Sequence, residues 1–168
     1  MPGLVRAAPV HPHHNIDQEA RVHGTAERKA GGTLRWANRL VVRVYRATGG
    51  RVLGTDHGLP VLLLTFVGRQ SGMVRTTPVV FVRDAQRFLV TGTNHGRARR
   101  PSWCRNLLAE PSARVEIGAE SWEVRAVSTA GAERDRLWEL MVRRHSVLTK
   151  YLGMTDRVFP VFVLEPVS

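Results

Sequence analysis

The feature that most constrains the fold is a series of short β-rich runs between residues 59 and 164 that are joined mainly by turns. Two helical patterns interrupt the series, at residues 101–109 and about 132–150. Because strands and helices do not alternate one for one, the pattern excludes a Rossmann-type parallel sheet. We expect a mainly β fold with inserted helices, in which roughly six antiparallel strands form a closed or split barrel. The predicted strands cover residues 59–67, 74–82, 87–91, 115–117, 122–127 and 158–164.

Turn residues support these strand limits. Residues 84–86 predict a turn between the second and third strands, and residues 118–121 predict a hairpin between the fourth and fifth. Pro78 has no backbone N–H, so it marks an edge position or a bulge in the second strand.

Residues 1–32 have no sustained apolar period, so we expect a mobile tail ahead of a domain that covers residues 33–168. The tail has no continuous apolar region of the kind that a secretory signal needs, and no run in the chain approaches the ~20 apolar residues that span a bilayer. His11, His13 and His14 form a small cluster that suits a metal ion. Unliganded tail histidines are the favoured interpretation, and no metal site is predicted.

Residues 34–47 have a helical apolar period that ends at Gly49 and Gly50. Arginines occupy one narrow side of the helical wheel, and apolar residues cover the opposite side, with Val42 out of place. We favour a surface helix whose apolar side docks on the core; the alternative is an interfacial helix whose arginines contact anionic lipid. The arginines are Arg35, Arg39, Arg43 and Arg46, and the apolar side comprises Trp36, Ala37, Leu40, Val41, Val44 and Tyr45.

The charge of the chain indicates a polyanionic partner. Its 168 residues include 25 Lys or Arg and 14 Asp or Glu, which gives a formal net charge of +11. Part of the arginine bias is typical of a GC-rich genome, but the excess still favours phosphates, a carboxylate-rich cofactor, nucleic acid or an anionic membrane. Cys104 is the single cysteine, which excludes an internal disulfide and a Cys-pair zinc site and suits a reducing cytoplasm.

The loop at residues 68–72 is the first candidate site. Its two glycines let the backbone approach a ligand closely, and Ser71 offers a hydroxyl. Arg69 and Arg75 offer forked donors that suit a phosphate. The Gly-Lys-Ser/Thr ending of a Walker loop is missing, so a plain hairpin turn with solvated arginines remains the alternative.

Residues 91–106 form the second candidate site. Small polar residues and glycines at 91–96 precede three arginines and the start of a predicted helix at Pro101. Unpaired amides and the helix dipole make such a helix start favourable for an anion. Trp103 either stacks on a flat ring or, as is more frequent, packs inward. The arginines are Arg97, Arg99 and Arg100.

Familiar catalytic arrangements are absent from the sequence. No zinc-protease or serine-hydrolase motif occurs. Cys104 lies in a predicted helix without an identifiable base, which favours a structural role. His145 shares a predicted helix face with Leu137 and Met141, which favours a core or pocket-lining histidine over a general base. Asn106 is expected to bond the nearby backbone.

Three longer segments occur in one order: Gly68-Arg69-Gln70-Ser71-Gly72-Met73-Val74-Arg75-Thr76-Thr77-Pro78, then Pro101-Ser102-Trp103-Cys104-Arg105-Asn106-Leu107 with Glu110-Pro111, then Tyr151 with Thr155-Asp156-Arg157, Pro160-Val161 and Leu164-Glu165-Pro166. Together they resemble the signatures of the deazaflavin-dependent nitroreductase family of actinobacteria. The resemblance covers about residues 34–168 and leaves the tail unexplained.

The resemblance implies a split β-barrel related to the flavin-binding barrels. It also implies coenzyme F-420, a deazaflavin with a phosphate and an oligoglutamate tail, as the donor of a hydride to an electron-poor acceptor such as a quinone, an enone or a nitro compound. By match to the family's motifs, the phosphate region of the cofactor would contact Arg69, Gln70, Ser71, Gly72 and Arg75. The remainder of the cofactor would contact Thr93, Asn94, His95, Gly96, Arg99, Arg100 and Trp103. Thr93 and Tyr151 are the catalytic candidates, and His145, Leu148 and Tyr151 are the candidates for the substrate pocket.

The sequence departs from the family's pattern at three places. Gln70 replaces a frequent lysine, and His95 replaces a glycine in the loop that faces the ring. His145 and Leu148 replace two tyrosines, which leaves Tyr151 as the matching one and argues against a nitroimidazole substrate.

Two rival functions remain at this point. The scaffold also hosts FMN, so an FMN-dependent barrel oxidoreductase is one alternative, and a non-catalytic cofactor-binding protein is another. Nucleic acid is not an expected partner, because the arginines cluster without interleaved aromatic residues. We expect a cytoplasmic protein, with peripheral contact to an anionic membrane through helix 34–47 as an open alternative. Monomer and homodimer are equally compatible with the sequence.

Overall fold

The elements follow one another along the chain largely in the predicted order. The computed structural model describes residues 36–56 and 58–167. The helices are α1 (36–47), α2 (Ser102–Ala109), α3 (Gly131–Arg144) and α4 (Val147–Leu152). The strands are β1 (Thr55–Asp56), β2 (Leu59–Val67), β3 (Val74–Asp84), β4 (Arg87–Thr91), β5 (Ser112–Ile117), β6 (Glu120–Ser128) and β7 (Val161–Pro166).

Contacts within the chain divide it into the units Met1–Ala37 and Asn38–Ser168, and all seven of these strands belong to the second. The predicted tail at residues 1–32 and its boundary with the domain lie outside the described residues and stay predictions. So do His11, His13 and His14, and Arg35 of the predicted arginine side.

The strands form a closed antiparallel barrel. Their order is β1-β2-β3-β4-β7-β6-β5, and β5 pairs back onto β2, so six strands complete the ring and β1 lies outside it. In the β2 register, Leu64 lies opposite Thr77 of β3 on one side and Val115 of β5 on the other. The fold class predicted from the sequence is therefore confirmed.

Strand β2 is buried on both faces, which explains its nearly continuous apolar sequence. Leu62, Leu64 and Phe66 belong to the main core cluster, which also contains residues of β3 to β7 and α2. The alternate residues Val61 and Leu63 pack in a separate cluster with residues of α1. Because side chains alternate across a strand, one apolar run supplies both cores.

Helix α1 docks through a face that shares Tyr45 with the predicted apolar side but is rotated away from the rest of it. Val42, expected to be out of place, is 7% exposed and Tyr45 is 1% exposed, whereas Leu40 of the predicted apolar side is 49% exposed. Asn38 lies on the same face as Val42 and Tyr45, and its Nδ2 donates to the Thr76 carbonyl at 2.6 Å. The polar Asn38 thus belongs to the docking face. A prediction from apolar residues alone therefore gives the wrong rotation of the helix about its axis.

The phenol of Tyr45 fixes the end of α1 against strand β2 and the turn between β5 and β6. Its hydroxyl donates to the Val61 carbonyl at 3.0 Å and accepts from the Gly118 N–H at 3.1 Å. Gly49 and Gly50 follow with φ of 59° and 75°, which confirms the predicted end of the helix.

The helix predicted at residues 132–150 is wrong as a single element, because it is broken at His145. This residue has φ −135° and ψ 78°, and α4 begins two residues later. Leu137 and Met141 before the break and Leu148 after it join the same core cluster around Phe159. Tertiary packing therefore decides this boundary, at a position where His and Ser have only moderate helix propensity.

Smaller differences concern strand ends. The last strand begins at Val161 instead of residue 158, since Val158 is 69% exposed while Phe159 anchors the second core. The short strand β1 was not predicted. Pro78 lies in the part of β3 that pairs with β2 and precedes the pairing with β4, which confirms its predicted edge position. Along residues 36–56 and 58–167, no helix has the length and apolarity needed to cross a bilayer.

Candidate active site

The 68–72 loop joins β2 to β3 and is closed by its own backbone. The N–H groups of Ser71 and Gly72 both donate to the Gly68 carbonyl, at 3.0 and 2.8 Å. A Cβ atom on Gly68 would lie 2.9 Å from Ser71 Oγ and 3.1 Å from Arg75 Nε. Glycine at this position therefore lets the hydroxyl and the guanidinium approach the backbone.

Arg75 has capacity left for an anion. Its Nη2 donates a long bond of 3.4 Å to Ser71 Oγ. Its Nε is buried and has no hydrogen-bond partner in the described part of the chain. Because a buried donor without a partner costs free energy, this arrangement suits an oxyanion that would accept from Arg75 and Ser71.

Asn106 connects the two candidate sites, a role that the sequence did not reveal. It is 7% exposed on α2, and its Oδ1 accepts from the Arg69 N–H at 3.3 Å. The expected bond to backbone is present, although its partner lies 37 residues away. The available signal was a polar residue on the same helix face as the apolar Trp103 and Leu107.

The 92–97 loop follows β4 and has an unusual backbone. Asn94, His95 and Gly96 have φ of 49°, 54° and 76° in succession. Two of these are not glycine, and such backbone strain is concentrated at functional sites. A Cβ atom on Gly96 would lie 2.9 Å from Met154, so the segment after α4 packs closely against the loop.

Arg157 holds this loop from the side of the last strand. Its guanidinium donates to the carbonyls of Gly92, Thr93 and Arg97 at 2.9, 2.7 and 3.1 Å. Burial, and then the positive charge of Arg100, lower the pKa of Arg157. Sequence reasoning included Arg157 in a resembling segment but gave it no role.

Several arginines around the two loops lack a carboxylate. Arg46, Arg87 and Arg136 form ion pairs elsewhere on the molecule. By contrast, the guanidinium groups of four arginines form no ion pair and no hydrogen bond within the described residues: Arg69, Arg97, Arg99 and Arg100. The loops thus carry an uncompensated positive charge, as an anionic ligand requires.

Tyr151 of α4 contacts His95 of the 92–97 loop. His95 Nδ1 lies 3.4 Å from the Tyr151 hydroxyl, and their rings meet edge to face at 6.1 Å between centroids. Tyr151 is partly buried against the second core. The Thr93 hydroxyl has no partner within the described residues, so it is available to a ligand.

The other predicted site residues differ in their burial. Trp103 is 7% exposed and packs 5.6 Å from the Phe162 ring, in the inward role that is more frequent for such a residue. His145 and Leu148 are 4% and 6% exposed, and burial lowers the pKa of His145. Gln70 is exposed in its loop. The contributions of these residues to binding stay predictions.

Cys104 has the structural role that was expected. Its thiol is buried, and burial raises its pKa to about 12. A thiol that stays protonated at neutral pH is a poor nucleophile. A Cβ atom on Gly92 would collide with its sulfur, so the pair sets how closely β4 approaches α2.

Comparison with protein families identifies the family of the chain. The model of the F-420H(2)-dependent quinone reductase family matches residues 36–166. The chain belongs to this family. As a member it is an oxidoreductase that transfers a hydride from reduced coenzyme F-420 to an electron-poor acceptor, which confirms the predicted resemblance, enzyme class and cofactor.

The chain is also similar to individual proteins and solved structures. The F-420H(2)-dependent quinone reductase Rv1261c of Mycobacterium tuberculosis is 32% identical over 130 residues, which is 75% of this chain and 87% of the relative. A solved F-420-H2 dependent reductase, FDR-A, is 31% identical with a TM-score of 0.59, over 63% of this chain and 94% of that one. A structure described as a domain-swapped dimer is 28% identical with a TM-score of 0.61, and the match covers 77% of this chain and 97% of that one.

Proposed function

We propose that this quinone reductase binds coenzyme F-420 across the 68–72 and 92–97 loops and reduces a quinone there. The observation that carries the proposal is the buried Arg75 Nε, which lacks a partner beside Ser71 in a region of uncompensated arginines. These residues fit a group with a phosphate and several carboxylates. A neutral ligand would leave the same positive charges unbalanced.

Each part of the cofactor has a proposed location. The phosphate would be held by Arg69, Ser71, Arg75 and the backbone of Gln70 and Gly72. The flat ring would lie along Thr93, Asn94, His95 and Gly96, with Trp103 packed behind it, and the carboxylates would meet Arg99 and Arg100.

When bound in its reduced form, the cofactor supplies a hydride to the acceptor. The chain's own residues then have two tasks, orientation of the acceptor and management of its developing negative charge. The free hydroxyl of Thr93 and the phenol of Tyr151 would donate hydrogen bonds to the acceptor oxygen. Tyr151 is also the proposed source of the proton that a reduced quinone oxygen takes up. His95, whose Nδ1 lies 3.4 Å from the Tyr151 hydroxyl, would then return a proton to Tyr151.

The test of this proposal is binding of the cofactor followed by salt titration. We expect F-420 to bind more tightly than FMN and to weaken as salt rises, because charged groups make the contacts. Arg75→Ala should weaken F-420 binding by about 1.5–3 kcal/mol. Arg143→Ala removes the same charge from an exposed pair with Glu139 on α3 and should leave the affinity unchanged.

Two results would contradict the proposal. One is equal affinity for FMN and F-420 or an affinity that does not depend on salt. The other is tight binding without oxidation of the reduced cofactor by any quinone, which would favour a cofactor carrier.

The quinone also suggests where the enzyme works. We propose a cytoplasmic location with peripheral contact to anionic lipid through α1, since quinones with long apolar tails partition into membranes. Arg39 and Arg43 are exposed and have no carboxylate partner among the described residues, and Leu40 beside them is 49% exposed. Arg46, from the same predicted arginine side, is instead paired with Glu116 and is not part of this surface.

A further inference from the structure

Arg157 joins the two ends of the 92–97 loop through one side chain. Nη1 donates to the Gly92 carbonyl at 2.9 Å, and Nη2 donates to the Thr93 carbonyl at 2.7 Å and to the Arg97 carbonyl at 3.1 Å. The start and the end of the loop are therefore held at a fixed separation by a rigid, planar group.

The guanidinium is itself held in place by its surroundings. Its carbon lies 4.6 Å from the centre of the Phe159 ring, which belongs to the second core. The backbone N–H of Arg157 donates to Thr155 Oγ1 at 3.2 Å, which orders the segment before the last strand. The side chain of Arg157 thus fixes the strained 92–97 loop relative to the second core.

The loop needs such support because its backbone is unfavourable on its own. Asn94 and His95 both have positive φ, a conformation that is unfavourable for residues other than glycine. The bonds inside the loop are two backbone contacts, Gly96 N–H to the Thr93 carbonyl and Arg97 N–H to the Asn94 carbonyl, both at 3.1 Å. Three charge-assisted bonds from Arg157 are a stronger constraint than these.

We propose that Arg157 is a positioning residue, which holds the 92–97 loop in the shape that the cofactor ring and the acceptor require. The part that concerns the cofactor rests on the proposed function above. Lysine cannot replace arginine in this role, because one ammonium group cannot reach three carbonyls in a planar fork.

Arg134 provides a matched control. It also has a buried Nε without a partner in the described residues, lies 5.1 Å from the centre of an aromatic ring at Trp138, and donates to a carbonyl, that of Phe159. Arg134 also pairs with Asp135 at 3.0 Å. It does not bond to the 92–97 loop, so an effect that comes only from lost packing on an aromatic ring should appear in its variants as well.

The first measurement is amide hydrogen exchange on the cofactor-free protein. In Arg157→Gln and Arg157→Lys, the amides of Gly96 and Arg97 should exchange roughly tenfold faster or more, while amides of β5 and β6 stay unchanged. Arg134→Gln should leave the loop amides at the wild-type rate. Unchanged exchange in a folded Arg157→Lys variant would overturn the inference by itself.

The second measurement is rescue. Arg157→Ala should bind F-420 roughly tenfold or more weakly, and guanidinium ion at a non-denaturing concentration should restore part of the affinity, with no such effect on Arg134→Ala. Equal weakening in both variants without rescue would mean a merely structural role and would overturn the inference. If wild-type protein does not bind F-420, the proposed function and the cofactor part of this inference both fail, whereas the exchange data still decide whether Arg157 holds the loop.

Discussion

At the scale of single residues, the site combines groups that are free to bind with groups that are fixed by burial. The Thr93 hydroxyl and Arg75 Nε have no partner within the described residues, whereas Asn106 Oδ1 and both Nη atoms of Arg157 bond to loop backbone. The free groups are candidates for contact with ligands, and the engaged groups hold the loops that carry them. Sequence motifs identify the first kind more readily, because its residue types suit a known chemistry.

The first prediction concerns the two hydroxyls that are proposed to act in catalysis. Thr93→Val should lower kcat by roughly ten- to a hundredfold if its hydroxyl bonds to the developing negative charge, and Tyr151→Phe should act similarly. Thr93→Ser keeps the hydroxyl and should retain most of the activity. Full turnover of both Thr93→Val and Tyr151→Phe with an established quinone would mean that solvent delivers the proton.

The second prediction concerns His145. Its ordinary pKa is 6.5 and burial lowers the folded-state value, so the unfolded chain binds a proton more readily than the folded chain. Stability from this residue is therefore fully present above about pH 6.5 and is lost as the pH falls through the lower folded value. The urea concentration at the unfolding midpoint of the wild type should decrease as the pH is lowered from 8 to 5. The decrease should be smaller in His145→Gln. An identical pH dependence in both proteins would show that His145 does not contribute.

At the scale of elements, the helices are placed by a few polar contacts as much as by apolar area. Asn38 and Tyr45 on α1 bond to three backbone groups of the barrel, and Asn106 on α2 bonds to the 68–72 loop. The break between α3 and α4 occurs at a buried histidine. Apolar periodicity predicts that these helices exist, but it does not predict their rotation or their interruption.

The third prediction compares the chain's two tyrosines. Tyr45→Phe should lower the free energy of unfolding by about 1–3 kcal/mol, because it leaves the Gly118 N–H and the Val61 carbonyl without their partner. Tyr151→Phe removes a hydroxyl that, among the described residues, makes one long hydrogen bond of 3.4 Å, so its effect on stability should stay within about 0.5 kcal/mol. Urea unfolding of both variants measures the difference. Equal losses would show that the bonds of Tyr45 do not anchor α1.

At the scale of the whole molecule, which has a net charge of +11, the arginines are neutralised by carboxylates in some regions and not in others. Some arginines are neutralised by carboxylates on the barrel and on α3, as Arg46 and Arg136 are. The arginines of the two loops and of the outer side of α1 are not. The surface is thereby divided into a proposed cofactor region and a proposed lipid-facing region.

The fourth prediction concerns that lipid-facing region. The protein should bind anionic vesicles more strongly than neutral ones, and the double variant Arg39→Gln/Arg43→Gln should lose on the order of 1 kcal/mol per arginine. Arg143→Gln/Arg144→Gln makes the same change in net charge on α3 and serves as the control. Equal partitioning into both vesicle types, or equal losses in both double variants, would leave α1 as a helix that only packs on the barrel.

The sequence by itself determined the barrel, the two candidate loops and the family. Alternating or continuous apolar runs bounded by glycine and proline are local signals, and so are the residues of the 68–72 loop. The tertiary structure alone decided which face of α1 is buried, where the long helix breaks, and that Arg157 and Asn106 hold the loops. The physical reason is distance along the chain: Arg157 bonds to residues 60 to 65 positions earlier and Asn106 to one 37 positions earlier. Such contacts depend on strand register and on the closure of the barrel, which no local pattern contains.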